Sequence, residues 1–217
     1  MSSSARSAFA PSPSAELGGP ARWVAPVTLE GEAVRLEPLS PDHLADLAQV
    51  GLDPAIWTWM PALMSTVDDL RDFIRVALSG AASGGEVPFA IVERASGRAV
   101  GSTRYLNVEP AHRRLEIGYT WLAPAWQRGA FNSEAKLLLL EHAFERLGAL
   151  RVEFKTDSRN GRSRQALLGI GAVEEGTLRS HMDVHAGRRD SVYFSVIAED
   201  WPQVRRHIEA RLVRLSA

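Results

Sequence analysis

The sequence predicts one α/β domain built on a mixed β-sheet. Residues 115–148 predict a buried strand, a turn bounded by Pro124, and a long helix that ends at Gly148. A further strand is predicted directly afterwards, at residues 151–156. A strand–helix–strand unit of these lengths forms a right-handed crossover, so its two strands should be parallel. Hairpin turns on both sides of this unit predict antiparallel neighbours, which makes the sheet mixed.

The elements before this unit follow from alternation, helical periodicity and turn residues. Ser40 before Pro41 begins a short helix that ends at Gly51, and Thr66 is an N-cap for a longer amphipathic helix. Ser96 and Gly97 predict a hairpin turn. The predicted elements are strand 33–38, helix 41–50, an irregular aromatic segment 53–61, helix 67–79, and strands 88–93, 99–108 and 115–122.

The second half continues the same alternation of helices and strands. The helix over residues 131–147 is apolar on two stripes, which predicts that most of it is buried. Ala186 and Gly187 predict the turn of a C-terminal hairpin. The remaining elements are predicted as helix 160–168, strands 172–184 and 191–197, and a last helix over 199–215.

Composition excludes several classes of function. The formal net charge of the 217 residues is -1, which favours neither nucleic acid nor an anionic membrane as a partner. The absence of cysteine excludes disulfides, thiolate catalysis and Cys-ligated zinc, and no His/Asp/Glu cluster has metal-ligand spacing. No apolar run reaches the roughly 20 residues of a membrane span. Residues 1–25 predict a disordered tail, and 26–217 a single domain.

The turn from Pro124 to Asn132 is a candidate phosphate site. Gly129 and Ala130 carry little side-chain bulk, so backbone N–H groups at the start of the following helix can approach an anion. Gln127 and Arg128 add donors. The alternative is an ordinary strand-to-helix turn, because no complete glycine-rich fingerprint is present.

Four ordered motifs make this chain similar to the GNAT N-acetyltransferase superfamily, and within it to the RimJ/RimL-type group. They are EIGY at residues 116–119, PAW leading to NSEA between 124 and 135, DSRNGRS at 157–163, and GIGAVEEGTLRSH at 169–181. The family loop Q/R-x-x-G-x-G/A falls on residues 127–132. Here its two small positions hold Ala130 and Asn132, so this loop departs from the family pattern.

The resemblance implies a mostly antiparallel sheet with a central splayed parallel pair, and acetyl-CoA as the co-substrate. The pyrophosphate would meet backbone N–H groups of the loop, and the pantetheine arm would pair with the strand after Ile117. Asn160 would hold the pantetheine arm, although helix capping is the alternative role for Asn160 and Ser163. The residues implied in cofactor binding are Ile117, Gln127, Arg128, Gly129, Ala130, Phe131, Asn132, Ser133, Asn160 and Ser163.

Glu116 is the candidate general base, because the family places a carboxylate here beside the acceptor amine. The alternatives are a strand-edge Glu116 paired with Arg113 or Arg114, a water chain, or His181 as the base. The candidate acids are the Ser163 hydroxyl, Tyr119 and Tyr193, although each tyrosine is equally well explained as a core aromatic.

The predicted function is transfer of an acetyl group from acetyl-CoA to a primary amine by direct attack in a ternary complex. The acceptor is a peptide N-terminus or a small-molecule amine, and the alternative is a non-catalytic acyl-CoA-binding or interaction module. The expected setting is a cytoplasmic homodimer. The residues expected to line the acceptor pocket are Trp57, Trp59, Met60, Arg104, Tyr105, His112 and His181.

Overall fold

Eight strands form one mixed sheet in the computed structural model, which describes residues 23–216. Seven neighbouring pairs make up the sheet, in the order β1-β2-β3-β4-β5-β6-β8-β7, and all are antiparallel except β5 with β6. The predicted mixed sheet with one parallel pair is therefore confirmed. The strands are β1 Leu29–Glu30, β2 Val34–Pro38, β3 Val87–Glu93, β4 Ala99–Glu109, β5 Arg114–Leu122, β6 Arg151–Asp157, β7 Val173–Val184 and β8 Gly187–Ile197.

Helices cover both faces of the sheet. The helices are α1 Leu44–Val50, α2 Pro54–Trp57, α3 Val67–Ala82, α4 Ala130–Glu141, α5 Gly161–Leu168 and α6 Trp201–Ser216. Helices α4 and α6 pack together over a large core that reaches from β2 to β8, and we call this side the α4 face. Helices α1, α2 and α3 enclose a second core on the opposite side, which we call the α3 face.

The parallel strands β5 and β6 are splayed. They pair only over their first residues, from Arg114 with Arg151 to Glu116 with Glu153, although both strands continue well beyond this point. The ladder of β5 with β4 also shifts register between Gly118 and Trp121, a stretch that contains Tyr119, whose φ of 49° lies in the left-handed region. This combination of bulge and splay leaves backbone groups of β5 without a strand partner and opens the sheet beside them.

Strand alternation assigns the side chains around the splay to the two faces. Leu115, Ile117 and Phe154 are buried in the core of the α4 face. Glu116 and Lys155 alternate with these residues and therefore point to the α3 face. The two faces of the sheet thus offer different chemistry at the same opening.

The structure corrects several predicted boundaries. The segment predicted as irregular contains α2, whose N-cap Asp53 accepts a hydrogen bond from the Ala55 N–H. Strand β1 was not predicted, and β8 begins at Gly187 because the hairpin turn is tighter than expected. Trp23 donates a hydrogen bond to a backbone oxygen of the folded domain, and Val24 is buried in the core. The folded part thus begins before residue 26, and the rest of the predicted tail, residues 1–22, lies outside the described residues.

No helix between residues 23 and 216 combines the length and the apolar character that crossing a membrane requires.

Candidate active site

A cleft of about 1110 Å³ passes through the opening between β5 and β6. This volume is slightly above the usual range for ligand pockets, about 300–1,000 Å³, so the cleft has room for a large cofactor and a second molecule. Asn132 and Ser133 line it at the start of α4, and Glu116 and Asn107 line it on the α3 face. The cleft therefore connects the two faces of the sheet.

The start of α4 has the features of an anion site. Gly129 is the N-cap, and no side chain of the described residues caps the helix, so N–H groups of its first turn remain available. A Cβ placed on Gly129 would meet no atom within 4 Å, which shows open space in front of these groups. The Gln127 side chain braces the turn, because it donates to the Leu122 oxygen at 2.6 Å and accepts from Arg162 at 2.6 Å.

Three guanidinium groups surround this end of the cleft. Arg128 precedes the helix, Arg162 comes from α5, and Arg211 from α6 donates to the Ser133 hydroxyl at 3.1 Å. None of the three forms an ion pair with a carboxylate of the described residues. Of the three, only Arg128 was predicted from the sequence, because neither Arg162 nor Arg211 lies in the loop motif. The remaining loop residues, Ala130 and Phe131, do not line the cleft, and the Phe131 ring packs against the core.

Asn160 and Ser163 both line the cleft, and Asn160 is the N-cap of α5. The Asn160 Oδ1 accepts a hydrogen bond from the Ser163 N–H at 3.0 Å, which is the capping role that sequence analysis held as the alternative. The Ser163 side chain is half-buried. Capping holds both side chains at the cleft wall.

Glu116 is 2% exposed and lies on the α3 face of the cleft. Its Oε2 accepts from the Asn107 amide at 2.8 Å and pairs with the Lys155 ammonium at 3.3 Å. The alternative pairing with Arg113 or Arg114 is not formed, because Arg114 pairs with Glu153 instead. The other oxygen, Oε1, has no hydrogen-bond partner among the described residues. If residue 118 carried a Cβ atom, that atom would lie only 3.1 Å from Oε1. Gly118 therefore leaves space beside the Glu116 oxygen that has no partner among the described residues.

Lys136 is a further polar residue of the cleft that sequence analysis did not assign. The chain contains only two lysines, and both Lys136 and Lys155 line the cleft. Lys136 is 5% exposed on the α4 face, where it donates to the Thr120 hydroxyl at 2.7 Å. Burial lowers the pKa of Lys136 to about 7. Its amine is consequently about half neutral near pH 7.

Tyr119 lines the cleft at the bulge of β5. Its ring packs edge-on against Phe73 at 6.4 Å, and the Arg104 guanidinium lies 4.4 Å from its centroid. These contacts fix the ring, while its half-buried state leaves part of it facing the cleft.

The predicted acceptor wall has to be corrected. Trp59 and Met60 line the cleft, and the Arg159 guanidinium lies 5.0 Å from the Trp59 ring. Trp57 is fully buried and donates to the Gly51 oxygen at 2.7 Å, so its side chain has no surface left for a substrate.

Arg104 and Tyr105 are also removed from the predicted wall. Arg104 is 2% exposed and pairs with Glu86 at 3.0 Å, and Tyr105 is fully buried and donates to the Leu139 oxygen at 2.6 Å. Neither residue lines the cleft.

His181 lies outside the cleft because β7 is irregular before it. The register with β8 shifts between Leu178 and Met182, and Ser180 has a φ of 49°. His181 is exposed there and interacts with the Ser191 hydroxyl at 3.0 Å and with the Tyr193 ring. Neither His181 nor Tyr193 lines the cleft, and the exposed His112 does not line it either. Among the described residues, no group of three or more His, Asp or Glu side chains is placed to hold a metal ion.

The splayed sheet, the uncapped helix and the carboxylate across the opening define the class of enzymes that transfer a group from a phosphate-bearing cofactor. Comparison with known proteins makes this specific: the model of the acetyltransferase (GNAT) domain matches residues 33–173, and the chain belongs to this family. It is therefore an acetyltransferase, and the GNAT fold uses acetyl-CoA as its acyl donor.

Three relatives agree with this assignment. The uncharacterized N-acetyltransferase p20 of Bacillus licheniformis is 26% identical over 80% of this chain and 98% of its own length. A GCN5-related N-acetyltransferase from Brucella melitensis is 30% identical, with a TM-score of 0.80 over 88% of this chain and 87% of that one. Mycobacterium smegmatis RimJ, solved with CoA-disulfide, is 25% identical, with a TM-score of 0.74 over 86% of this chain and 95% of that one. These neighbours are consistent with the RimJ/RimL-like group that the motifs predicted.

Proposed function

We propose that this protein transfers the acetyl group of acetyl-CoA to a primary amine by direct attack in a ternary complex. The observation that carries the proposal is one continuous cleft with an uncapped helix N-terminus at one end and the buried carboxylate of Glu116 at the other. A donor lying through the splay presents its thioester to the face on which Glu116 lies.

The α4 face supplies the cofactor contacts in this proposal. N–H groups at the start of α4, with Arg128, Arg162 and Arg211 around them, bind the phosphates. This basic surrounding compensates for the departures of the loop at Ala130 and Asn132 from the family pattern. Backbone groups of β5 left without a partner after Glu116 accept the pantetheine arm in the manner of an added strand.

The α3 face supplies the chemistry. An ammonium has no lone pair, and at pH 7 roughly a tenth of an α-amine but only about one lysine side chain in 2,500 is neutral. The free Oε1 of Glu116 takes the amine proton, directly or through water, as the nitrogen attacks the thioester carbonyl. The N–C bond forms, the C–S bond breaks, and the Ser163 or Tyr119 hydroxyl returns a proton to the CoA thiolate.

Initial-rate kinetics test the proposal. Acetyl-CoA is offered with a panel of N-terminal peptides and small amines, and release of free CoA is measured. Turnover with intersecting double-reciprocal lines supports direct attack, whereas parallel lines require a covalent acetyl-enzyme. Intact CoA binding with no turnover across the panel supports the alternative, a non-catalytic acyl-CoA-binding module.

A homodimer is the second part of the proposal. Strand β7 is at the edge of the sheet and is exposed along most of its length, including the apolar Val173 and Leu178. Val213 and Leu215 on α6 are exposed as well. An exposed edge strand presents unpaired backbone N–H and C=O groups that a strand of a second copy can pair with. Light scattering of the wild type and of Leu178→Glu distinguishes a dimer through this edge from a monomer.

A further inference from the structure

Arg189 is a buried cation at the acceptor end of the cleft. It lies on β8, is 5% exposed, and lines the cleft. Strand β8 pairs with β6 in regular register, with Ser191 opposite Asp157 and Tyr193 opposite Lys155. Alternation therefore places the Arg189 side chain on the α3 face, the same face as Glu116.

The guanidinium of Arg189 has no anionic partner. Its Nε donates to the Ser191 hydroxyl at 3.0 Å, but its two terminal nitrogens donate to no described residue, and no described carboxylate forms an ion pair with it. Burial lowers the pKa of Arg189, and the nearby charges of Asp157 and Glu116 only partly oppose this effect. A buried charge without a partner is costly, so its retention in a cleft points to an external partner.

The two nearby carboxylates, Asp157 and Glu116, are each paired with another cation. Both oxygens of Asp157 accept from Arg159, at 2.7–2.9 Å. The Oε2 of Glu116 is shared by Asn107 and Lys155. The donors of Arg189 therefore remain available to a ligand in the cleft.

We propose that Arg189 binds a carboxylate of the acceptor, so that the acceptor is an amine carrying a carboxylate on the same molecule. This inference rests on the proposed acetyl transfer. A guanidinium presents two parallel N–H donors that match the two oxygens of a carboxylate. The phosphates of acetyl-CoA do not explain Arg189, because the uncapped helix and its three arginines lie at the other end of the cleft.

The same arrangement disfavours polyamines and other polycationic acceptors. Lys155 and Arg189 place two positive charges at this end of the cleft, beside the single free oxygen of Glu116. A free α-amino acid or a peptide with an acidic residue next to its N-terminus both present an amine with a nearby carboxylate. Both kinds of acceptor share this combination of groups, and the assay below distinguishes between them.

Matched acceptors test the inference. Amino acids are compared with their carboxamides, and peptides with Asp as the second residue with the same peptides carrying Asn. We expect the wild type to prefer the acid in at least one series by 10-fold or more in kcat/KM. Arg189→Met should lower kcat/KM for the acids by roughly 10- to 100-fold, the loss expected for a charged hydrogen-bonded pair, and for the amides by less than about 3-fold.

Three controls make the result specific. Arg188→Met changes the exposed neighbour on the same strand and should leave the preference unchanged. Arg189→Lys keeps the charge, and should retain part of the preference even if Arg189→Met does not fold. Calorimetric CoA affinity should be unchanged in each variant, which separates acceptor binding from a general loss of structure.

The outcomes separate the inference from the function on which it rests. Equal rates for acids and amides in the wild type overturn the inference and leave acetyl transfer standing. A preference that persists in both Arg189→Met and Arg189→Lys overturns the assignment to this residue. CoA binding with no acceptor acetylated in either series overturns the proposed function, and the inference with it.

Discussion

Replacing Lys136 by methionine is expected to stabilise the protein near neutral pH, although the change removes a hydrogen bond. Lys136 is 5% exposed, and its only hydrogen-bond partner among the described residues is the Thr120 hydroxyl. The Phe154 ring, 5.7 Å away, supplies a weak cation–π contact. Methionine has a similar length and no charge, so it fills the same space without the cost of desolvating an ammonium.

The pKa of Lys136 gives the size of the effect. Burial lowers that pKa from 10.5 to about 7, and each pKa unit is worth 1.36 kcal/mol, so the charged form is disfavoured by about 5 kcal/mol in the folded state. At pH 7, where the folded amine is half neutral, the remaining cost is about 4 kcal/mol. Losing the bond to Thr120 offsets about 1 kcal/mol, because Thr120 keeps its contact with Thr103 at 2.8 Å. The net gain is about 3 kcal/mol, or about 6–12 °C in Tm.

The pH dependence of the gain follows from the direction of the pKa change. Between pH 7 and 10.5 the unfolded chain binds the proton of Lys136 more tightly than the folded protein does, so this residue makes wild-type stability rise with pH. Below pH 7 both states are protonated, and the full cost is present. The advantage of Lys136→Met should therefore be largest at or below pH 7 and fall below about 1 kcal/mol near pH 10.

Urea unfolding of the wild type and Lys136→Met at pH 7 and pH 9.5, followed by circular dichroism, measures this difference. Lys155→Met is the matched control, because Lys155 is ion-paired with Glu116 and its replacement should give no gain at either pH. The desolvation of the Lys136 amine is refuted if Lys136→Met is no more stable than the wild type at pH 7. It is also refuted if the difference in unfolding free energy does not decrease from pH 7 to pH 9.5, because a desolvated amine requires this decrease.

Three further changes test the two ends of the cleft and the packing beneath it. Glu116→Gln should lower kcat by about 10²–10⁴-fold with CoA affinity retained, and near-wild-type turnover at neutral pH would remove Glu116 from the role of base. Gly129→Glu should weaken CoA binding at least 10-fold in calorimetry by placing a charge beside the phosphates, because Gly129 lines the cleft, whereas Ala125→Glu at an exposed position outside the cleft should not. Glu134 accepts hydrogen bonds from three consecutive backbone N–H groups that lead into β2, those of residues 32 to 34, so Glu134→Ala should cost about 3 kcal/mol of unfolding free energy, against less than about 0.5 kcal/mol for Glu141→Ala on the same helix.

The topology around the cleft could be predicted because it follows from local patterns. The strand–helix–strand unit dictated the parallel pairing that Leu115 and Val152 show, since a crossover of that length allows no other arrangement. The splay between β5 and β6 could be predicted only from the resemblance to a family, and not from local sequence patterns. It is accompanied by a bulge at Tyr119, a non-glycine residue with positive φ, which no periodicity indicates.

Two tryptophans show why the acceptor wall was harder to predict than the cofactor loop. Trp57 ends the short helix α2 and turns into the core, while Trp59 lies just beyond the helix and reaches the cleft. Without the prediction of that helix, the sequence offered no reason to separate them. The loop from Gln127 to Ser133 was simpler, because its function depends on backbone groups that are contiguous in the chain.

Arg189 and Arg211 could not be assigned from the sequence for a related reason. Both are single residues in an arginine-rich chain, and only the packing of β8 and α6 against the cleft separates them from the solvated arginines. A burial of 95% or an unpaired guanidinium is a property of the tertiary structure, so no local pattern reveals it.

The charges on the two faces of the sheet differ, so the two ends of the cleft favour different ligands. On the α4 face the cations surround a helix N-terminus that already favours anions, so in the proposed complex this end binds the phosphates of the donor. On the α3 face Asp157 is neutralised by Arg159, and Glu116 shares its charge with Lys155, which leaves Arg189 as the charge without a partner. An acceptor that arrives as a bare ammonium gains little there, because it meets a positive end of the cleft. An acceptor that brings a carboxylate satisfies Arg189 and leaves its amine beside the free oxygen of Glu116, so the residue that selects the acceptor also positions it for attack.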